Sequence, residues 1–523
     1  MAAKSANLRI TGLALLIAVA LPAWTTFPRP VAQEEEDEYY IDFNGDGKED
    51  LAIGIIGEDF PGLQDAGAVQ VIYGSNSGLT SKGDQFWHMA NLNRTAQTGA
   101  IFGWAMGAGD INNDGFSDLA VGVPNYDRDS TEHTGAVVVL FGSKKGLTAQ
   151  GNVLLDLGNE ARATDALGAS VYVGDVNGDE LHDVIAGLSG RDLGNKENAG
   201  AIAAFYSQGK TFSAPQIIHQ DTPGIKGAAQ RNAVFGSAIT AGYFLGNDDI
   251  LDVAVAAGGH SANKGAVNVI AGTKSGLKPT GNLFLLGGAR GDVFGFSIAT
   301  IPDRNNRDRI LVGAAGARQG RGEVYIVSGT TRELVFMGEN PGEFAGFSVA
   351  AGDVIGRRRA DLIIGIPGFD GTFAPLLPVL PALPVHLLGD RGYTCVQDNE
   401  EEIFEEEGPA EGEEGNEEIK GPADDRLTAN DFAPCVRVQH PNARDLELGG
   451  RAVTTVNATG KGAQVSVGVP QGIVNNIRPG VVYTGDLRTL KDKVFHQNTA
   501  GIDDSNQHGD FFGWSFAAGV RRD

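Results

Sequence analysis

The sequence predicts an all-β fold: a seven-bladed β-propeller of four-stranded antiparallel blades, closed by the C-terminal strand joining the N-terminal blade, with one long acidic loop insertion. Three observations support this prediction. Two short motifs each recur seven times along the 523 residues, the segments around them are short, β-branched and bounded by glycine, and the two ends of the chain carry complementary parts of one repeat. Such repetition is typical of propellers.

The first motif is Phe-Gly, or a close variant, followed by small and apolar residues. Its seven copies start at Phe102, Leu167, Phe235, Phe294, Ala345, Gly449 and Phe512. The second motif is an apolar tetrad that closes on a small residue. Its seven copies start at Leu51, Leu119, Val184, Val253, Ile310, Leu362 and Val465. Gly-Ala-Val and a further apolar run follow most tetrads, so a unit of roughly 60 residues holds about four short strands, as a propeller blade does.

The order of the motifs at the two ends predicts how the ring closes. The chain opens with the tetrad at Leu51, before which there is no Phe-Gly, and it ends with the Phe-Gly at Phe512, after which there is no tetrad. We therefore expect the C-terminal strand to complete the N-terminal blade, which would remove the exposed sheet edges of an open stack.

Composition excludes several classes of protein. Glycine contributes 75 residues, about twice the usual share of roughly 7%, but it lacks the period of three that collagen requires. Hydrophobic residues make up 41% of the chain, enough for a packed core. The net charge of -25 argues against nucleic-acid binding, because an acidic surface repels phosphates.

Three nine-residue segments between the motifs place side-chain oxygens at positions 1, 3, 5 and 9. We name them acidic loop 1 (Asp42–Asp50), acidic loop 2 (Asp110–Asp118) and acidic loop 3 (Asp175–Asp183). Calcium takes six to eight oxygen ligands, and a central glycine permits the sharp turn. We therefore expect Ca2+ as a cofactor, with plain acidic turns as the alternative. The predicted side-chain ligands are Asp42, Asn44, Asp46, Asp50, Asp110, Asn112, Asp114, Asp118, Asp175, Asn177, Asp179 and Asp183.

The acidic loops differ from EF-hands, and later units have lost them. Position 12, a glutamate in an EF-hand, is apolar here, which predicts that the acidic loops lie in β-hairpins. In the fourth unit Phe244 and Gly246 stand in place of ligands beside Asp248 and Asp252. In the fifth unit Arg309 occupies the position of the last carboxylate.

These motifs together resemble FG-GAP repeats, which build the seven-bladed head of integrin α chains and related secreted propellers. The resemblance covers about residues 41–370 and 445–519. It implies calcium in the acidic loops, with additional backbone carbonyl ligands from Lys48, Phe116 and Leu181. It further implies that the opposite face or the rim of the propeller contacts protein partners.

The N-terminal 32 residues are predicted to be a signal peptide and leader, ahead of a propeller over residues 33–523. Basic residues precede an apolar stretch from Ile10 to Leu21, and small residues follow it, as at a secretory cleavage site. A buried N-terminal helix is the alternative. We expect a secreted or extracellular location, with the periplasm or the cell surface as the alternative in a bacterium. In a eukaryotic secretory pathway the sequons at Asn93 and Asn457 would be candidate glycosylation sites.

A long insertion is predicted over residues 371–434, in the sixth unit. This acidic insertion is expected to be disordered, because its like charges repel one another. Val385 to Gly389 is the predicted third strand of that unit, and Val436 to Gln439 the fourth. Cys395 and Cys435 would flank the loop at the base of this hairpin. In an exported chain they are expected to form a disulfide, and two free thiols are the alternative.

No catalytic constellation is found in the sequence, so the chain is predicted not to be an enzyme. We expect a monomeric adhesion or ligand-binding module for an extracellular protein or glycan, with neither a nucleic-acid partner nor a membrane span. Two alternatives remain open: a propeller associated with a phospholipase D-like or glycan-processing hydrolase, and a purely structural surface protein. Arg290-Gly291-Asp292 matches an adhesion tripeptide, but Gly-Asp or Gly-Glu before this motif belongs to the repeat.

Overall fold

The computed structural model describes residues 39–246, 248–303, 307–352 and 360–367. It also describes short segments beyond them, at 393–397, 436–439, 452–456, 464–469, 481–486, 491–497, 499–500, 502, 510, 512–518 and 520–521. This part of the chain is all-β, with four helical turns. The turns span Met89–Leu92, Gly158–Glu160, His260–Asn263 (α1) and Ala317–Gly320 (α2).

The strands are short and follow one another in groups of four. The first are β1 (Tyr39–Tyr40), β2 (Leu51–Ile55), β3 (Ala68–Tyr73), β4 (Thr80–Trp87), β5 (Met106–Gly109), β6 (Asp118–Val123), β7 (Ala136–Phe141) and β8 (Thr148–Leu155). Next come β9 (Leu167–Gly174), β10 (Asp183–Leu188), β11 (Ala201–Phe205), β12 (Gln216–Ile218), β13 (Phe235–Gly242), β14 (Asp252–Ala257), β15 (Ala266–Ala271) and β16 (Lys278–Leu286). They continue with β17 (Ser297–Ile301), β18 (Arg309–Ala314), β19 (Glu323–Ser328), β20 (Thr331–Met337), β21 (Ser348–Gly352), β22 (Asp361–Ile366), β23 (Tyr393–Gln397) and β24 (Val436–Gln439). The last are β25 (Ala452–Val456), β26 (Gln464–Val469), β27 (Val481–Asp486), β28 (Lys491–Phe495), β29 (Phe512–Ala518) and β30 (Val520–Arg521).

Antiparallel pairing of consecutive strands produces four-stranded sheets. Five sheets contain β9–β12, β13–β16, β17–β20, β21–β24 and β25–β28. A further sheet has the order β4-β3-β2-β29-β5-β6-β7-β8. Within it β29 runs antiparallel to β2, where Ile53 faces Phe516, and parallel to β5, where Ala517 faces Met106. The C-terminal strand β29 therefore lies beside the first tetrad strand.

Every apolar tetrad forms the second strand of its group. In β2, β6, β10, β14 and β22 every residue is buried. Burial on both faces explains why these strands are continuous hydrophobic runs instead of alternating patterns. The Gly-Ala-Val segments form the third strands β3, β7 and β15, as predicted from the sequence.

Glycine allows neighbouring units to approach each other closely. Gly135, just before β7, has φ +74°, and a Cβ there would lie 2.2 Å from the backbone nitrogen of Leu167 in the next unit. A parallel bridge joins these two residues, and the same bridge joins Gly200 to Phe235. Much of the glycine excess is therefore required by backbone contacts between units.

The predicted position of the third strand in the sixth unit was wrong. The structure places it at β23, which pairs with β22, so that Cys395 faces Ile364. Val385 to Gly389 lies outside the described residues. The Tyr-Thr-Cys-Val run of β23 contains aromatic and β-branched residues, which strands favour. Along the sequence it is closer to β24 than Val385 to Gly389 is. The strand also falls inside the range 371–434 that was predicted to be disordered.

Several predictions concern residues outside the described part of the chain. These are the signal peptide and leader, most of the insertion, the sequon at Asn457, and Cys435. Cys395 itself lies within β23, opposite Arg437 of β24. No helix in the described residues is long and apolar enough to span a membrane.

Candidate metal centres

The three acidic loops occupy the same place in successive units, where each leads into a second strand. Acidic loop 1 connects β1 to β2, acidic loop 2 connects β5 to β6, and acidic loop 3 connects β9 to β10. Position 9 is the first residue of β6 and of β10, and in acidic loop 1 it immediately precedes β2. Acidic loops 2 and 3 therefore lie in hairpin connections, as the apolar residue at position 12 predicted. Acidic loop 1 does not, because β1 pairs with β30 and β2 pairs with β29 and β3.

In acidic loop 1 the side chain at position 1 organises the turn. Asp42 Oδ1 accepts hydrogen bonds from the backbone N–H groups of Gly45 at 2.6 Å and Asp46 at 3.2 Å, and its Oδ2 accepts one from Gly47 at 2.9 Å. Asp46 Oδ1 accepts a bond from the N–H of Lys48 at 3.0 Å. These bonds fix the orientations of the carboxylates at positions 1 and 5 relative to the turn.

Acidic loops 2 and 3 repeat this geometry. Asp110 accepts N–H bonds from Asp114 at 3.0 Å and Gly115 at 2.8 Å. Asp175 accepts N–H bonds from Gly178 at 2.6 Å and Glu180 at 2.9 Å. The three acidic loops are thus close structural copies of one another.

The carboxylate at position 9 is buried and joins two strands. Asp50 is 1% exposed; its Oδ2 accepts the N–H of Phe43 at 2.8 Å and its Oδ1 that of Gly74, just after β3, at 2.9 Å. Asp118 makes the same pair of bonds with Ile111 and Gly142. This carboxylate therefore fixes the end of the third strand to the start of the acidic loop.

Burial makes these carboxyl groups difficult to ionise without a cation. The pKa values of Asp50, Asp118 and Asp183 are raised from 3.8 to about 8 each, chiefly by burial. The carboxylates at positions 1 and 5 of the same acidic loop contribute to this rise, whereas the backbone hydrogen bonds oppose it. A bound cation would remove the unfavourable charge repulsion.

Two side chains at position 3 leave buried oxygens without a hydrogen bond. They are Asn112 Oδ1 and Asn177 Oδ1, both among the predicted ligands. A buried polar atom without a partner is costly, and an oxygen is a ligand that calcium prefers. The residues present therefore fit a calcium ion. Within the described residues, no three Asp, Glu, His or Cys side chains lie close enough together to hold a metal ion. The carboxylates at positions 1 and 5 would therefore have to turn towards a bound calcium ion.

Each acidic loop also contacts the next, a relationship that the sequence did not reveal. The N–H of Ser117, at position 8 of acidic loop 2, donates to the carbonyl of Asp42 at 2.9 Å, and the N–H of His182 donates to the carbonyl of Asp110 at 3.2 Å. A Cβ on Gly45 would lie 2.6 Å from the ring of Phe116. Sequence spacing gives no signal for Ser117 because its partner is 75 residues away.

The fourth unit keeps the position 9 carboxylate without the rest of the set. Asp252 Oδ2 accepts the N–H of Leu245 at 2.5 Å, and its Oδ1 accepts that of Gly272 at 3.3 Å. Leu245 is seven residues before Asp252, the same separation as Phe43 and Asp50 in acidic loop 1, so Phe244 and Gly246 occupy positions 1 and 3, as predicted. Position 9 thus has a structural role besides any metal binding.

The other predicted sites are described only in part. Asn93 is exposed and ends the helical turn Met89–Leu92 in a left-handed conformation with φ 56°. Its side chain is therefore accessible.

A family model for the FG-GAP repeat matches residues 41–72 and 102–140, which contain acidic loops 1 and 2. The phosphatidylinositol-glycan-specific phospholipase D of Bos taurus is 37% identical over 180 residues, which are 34% of this chain and 21% of that protein. Integrin alpha-X of Homo sapiens is 30% identical over 177 residues, 33% of this chain and 14% of that protein.

These similarities cover limited parts of each protein. The chain spans about a fifth of the length of the phospholipase D relatives that it matches. Among solved structures, a Synechocystis apocarotenoid oxygenase mutant aligns over 92% of this chain and 94% of its own, with 8% identity and a TM-score of 0.40. That score is too low to carry an argument about fold or function.

Proposed function

We propose, from the FG-GAP repeats and the integrin-α-like organisation of this chain, that it is a secreted, calcium-binding propeller that serves as an adhesion or ligand-binding module. Its partner would be an extracellular protein or glycan. The observation that carries the proposal is the threefold repetition of one acidic loop with a buried carboxylate at position 9. In acidic loops 2 and 3 the buried side-chain oxygen at position 3 also has no hydrogen-bond partner.

Calcium would act in this protein as a structural ion. Side-chain oxygens at positions 1, 3, 5 and 9 would hold it, together with the backbone carbonyls of Lys48, Phe116 and Leu181. When bound it supplies positive charge at the centre of each acidic loop. The position 9 carboxylates would then be ionised and would hold the second and third strands together.

Seven blades closed by β29 form the second part of the proposal. The described strands divide into seven groups when β29 is counted with β2, β3 and β4, and β29 already pairs with β2. A closed ring leaves few exposed sheet edges and forms a rigid support for loops. Such loops are suitable for binding a partner.

The test of calcium binding is thermal unfolding of the full chain with calcium, with EDTA, and with EDTA followed by excess calcium. We expect EDTA to lower the Tm and calcium to restore it, because ligand binding to the folded state stabilises it. Magnesium at the same concentration is the control for ionic strength. An unchanged Tm in EDTA would reject the calcium proposal. A partner screen against extracellular material, with and without calcium, tests the binding role.

A second candidate function is association with a hydrolase. The 37% identity to a phospholipase D over 180 residues favours it, although that match covers 21% of the relative. Turnover of glycan or phospholipid substrates by the purified chain would support this candidate, and partner binding without turnover would support the first. A purely structural surface protein would show neither.

A further inference from the structure

A polar cleft of about 530 Å³ lies beside the sheet formed by β17–β20. None of the residues that line it belongs to an acidic loop. One wall is the connection between β16 and β17, and the other is the turn α2 between β18 and β19. Because strands in the sheet alternate in direction, α2 lies at the opposite end of its sheet from the connection between β17 and β18, where the fifth unit would carry its acidic loop.

Charged side chains dominate this cleft. Arg290 and Asp292 project from the first wall, and Arg318, Glu323 and Tyr325 come from the second. Its remaining lining is glycine, alanine and glutamine, without any larger aliphatic side chain. A cleft of this kind suits a hydrophilic ligand better than an apolar peptide side chain.

Glu323 holds Arg318 and Tyr325 in fixed positions. It is 4% exposed, and its Oε1 accepts a hydrogen bond from Arg318 Nε at 2.9 Å. Its other oxygen accepts the hydroxyl proton of Tyr325. The bond to Nε leaves the two terminal nitrogens of Arg318 available to a ligand, and the side chain is 59% exposed.

Arg290 is a second exposed guanidinium at the same cleft. Within the described residues it makes neither an ion pair nor a hydrogen bond. A guanidinium group can donate two parallel hydrogen bonds to a pair of oxygens of a carboxylate or sulfate. Asp292 adds a hydrogen-bond acceptor, and Tyr325 adds an aromatic ring.

Comparison with the preceding unit shows that these charges are not needed for the turn. In α1, Ser261 and Ala262 have φ of 53° and 59°, and in α2, Arg318 and Gln319 have φ of 52° and 64°. The same left-handed backbone therefore forms without an arginine. At the position of Glu323 the preceding unit has Ala266. The charged set is thus a property of the cleft and not of the repeat.

We propose that this cleft binds an acidic saccharide, with its carboxylate or sulfate on Arg290 and Arg318 and its hydroxyl groups donating to Asp292. A sugar carries an anion and several hydroxyl donors within one small ring, which matches the mixed donors and acceptors of the cleft. The inference names a ligand class for the proposed binding role and rests on it.

The experiment is titration calorimetry of the calcium-loaded full chain with glucuronic acid and with N-acetylglucosamine 6-sulfate. Glucose, sodium acetate and sodium sulfate are the controls. We expect at least one acidic sugar to bind more tightly than all three controls. Equal binding of glucose, acetate or sulfate would overturn the proposal, as would the absence of any binding by the acidic sugars. The carboxylate and sulfate arms show which anion the cleft accepts.

Two variants locate the site. Arg290→Ala removes an exposed, unpaired side chain and should leave folding intact, and Arg318→Ala removes the second guanidinium. Each is expected to weaken acidic sugar binding by about 10-fold, the usual effect of losing one charged hydrogen bond. Arg231→Ala, which removes an exposed arginine paired with Glu197 in the preceding connection, is the matched control.

Wild-type affinity in Arg290→Ala, or equal loss in Arg231→Ala, would overturn the assignment. An aspartyl peptide that competes as well as the sugar would overturn the ligand class. The calcium-dependent Tm measured on the same preparations separates the two proposals. If that dependence is intact and no sugar binds, only the saccharide inference fails.

Discussion

Asp42 and Ser117 exchange two hydrogen bonds across neighbouring units. The N–H of Ser117 donates to the carbonyl of Asp42 at 2.9 Å, and the N–H of Asp42 donates to Ser117 Oγ at 3.0 Å. The first residue of acidic loop 1 is therefore fixed by the eighth residue of acidic loop 2. Both residues are buried, so the pair links the conformations of two predicted metal sites.

Replacement of Ser117 should weaken this link. Ser117→Ala leaves the buried N–H of Asp42 without an acceptor, which typically costs about 1–3 kcal/mol. We expect a lower Tm and a smaller stabilisation by calcium, both measured by calorimetry. Ser275→Ala, in an exposed turn, is the control and should change neither value. Equal effects of the two variants would contradict the link.

Substitution of Gly45 tests the packing of one acidic loop on the next. Gly45→Ala places a Cβ 2.6 Å from the Phe116 ring at a φ of +71°. Gly83 has a similar φ of +79° but nothing within 4 Å, so Gly83→Ala measures backbone strain alone. We expect Gly45→Ala to be more destabilising by about 1–3 kcal/mol, the usual cost of overpacking. The comparison uses chemical denaturation, and equal losses would contradict the contact.

Substitutions of the position 9 carboxylates should distinguish their structural role from their role in metal binding. Each of these carboxylates accepts two backbone N–H bonds, and the NH2 group of an asparagine cannot accept one of them. Asp118→Asn and Asp252→Asn should therefore both reduce stability. Only Asp118→Asn should reduce the number of bound calcium ions, from three to two, as counted by equilibrium dialysis. A reduced count in Asp252→Asn would show that the fourth unit also binds calcium.

Stability should depend on pH in opposite ways with and without calcium. The folded-state pKa of Asp50, Asp118 and Asp183 is about 8, against 3.8 in the unfolded chain. The metal-free folded state therefore binds more protons between these values. Its stabilisation is complete below about pH 4 and is lost as the pH rises through about 8. Calcium requires the ionised form, so the calcium-bound state should gain stability over this range.

Proton release gives an independent measurement of the same linkage. At pH 7, calcium should displace about one proton from each acidic loop. Calorimetric titration in Pipes and in Tris buffers should then give apparent enthalpies that differ by the difference in buffer ionisation heat for each proton released. Identical enthalpies in the two buffers would show that the position 9 carboxylates are already ionised without calcium.

Much of the fold follows from local sequence patterns. The tetrads at Leu51, Leu119 and Val184 are apolar throughout, and strands that are buried on both faces require such runs. The acidic loops were predictable because their side-chain oxygens recur at fixed positions within nine residues. The strand Tyr393–Gln397 was missed because a short run in a long insertion is recognisable only through its pairing with β22.

The sequence by itself determined the alternation of short strands, the seven copies of each motif and the three acidic loops, because each depends on residues close together in the chain. Only the tertiary structure decided the exchange between Asp42 and Ser117, the link from Asp50 to Gly74, and the cleft between Arg290 and Arg318. Those contacts depend on how strands and units pack against each other. The spacing of residues along one chain does not specify that packing.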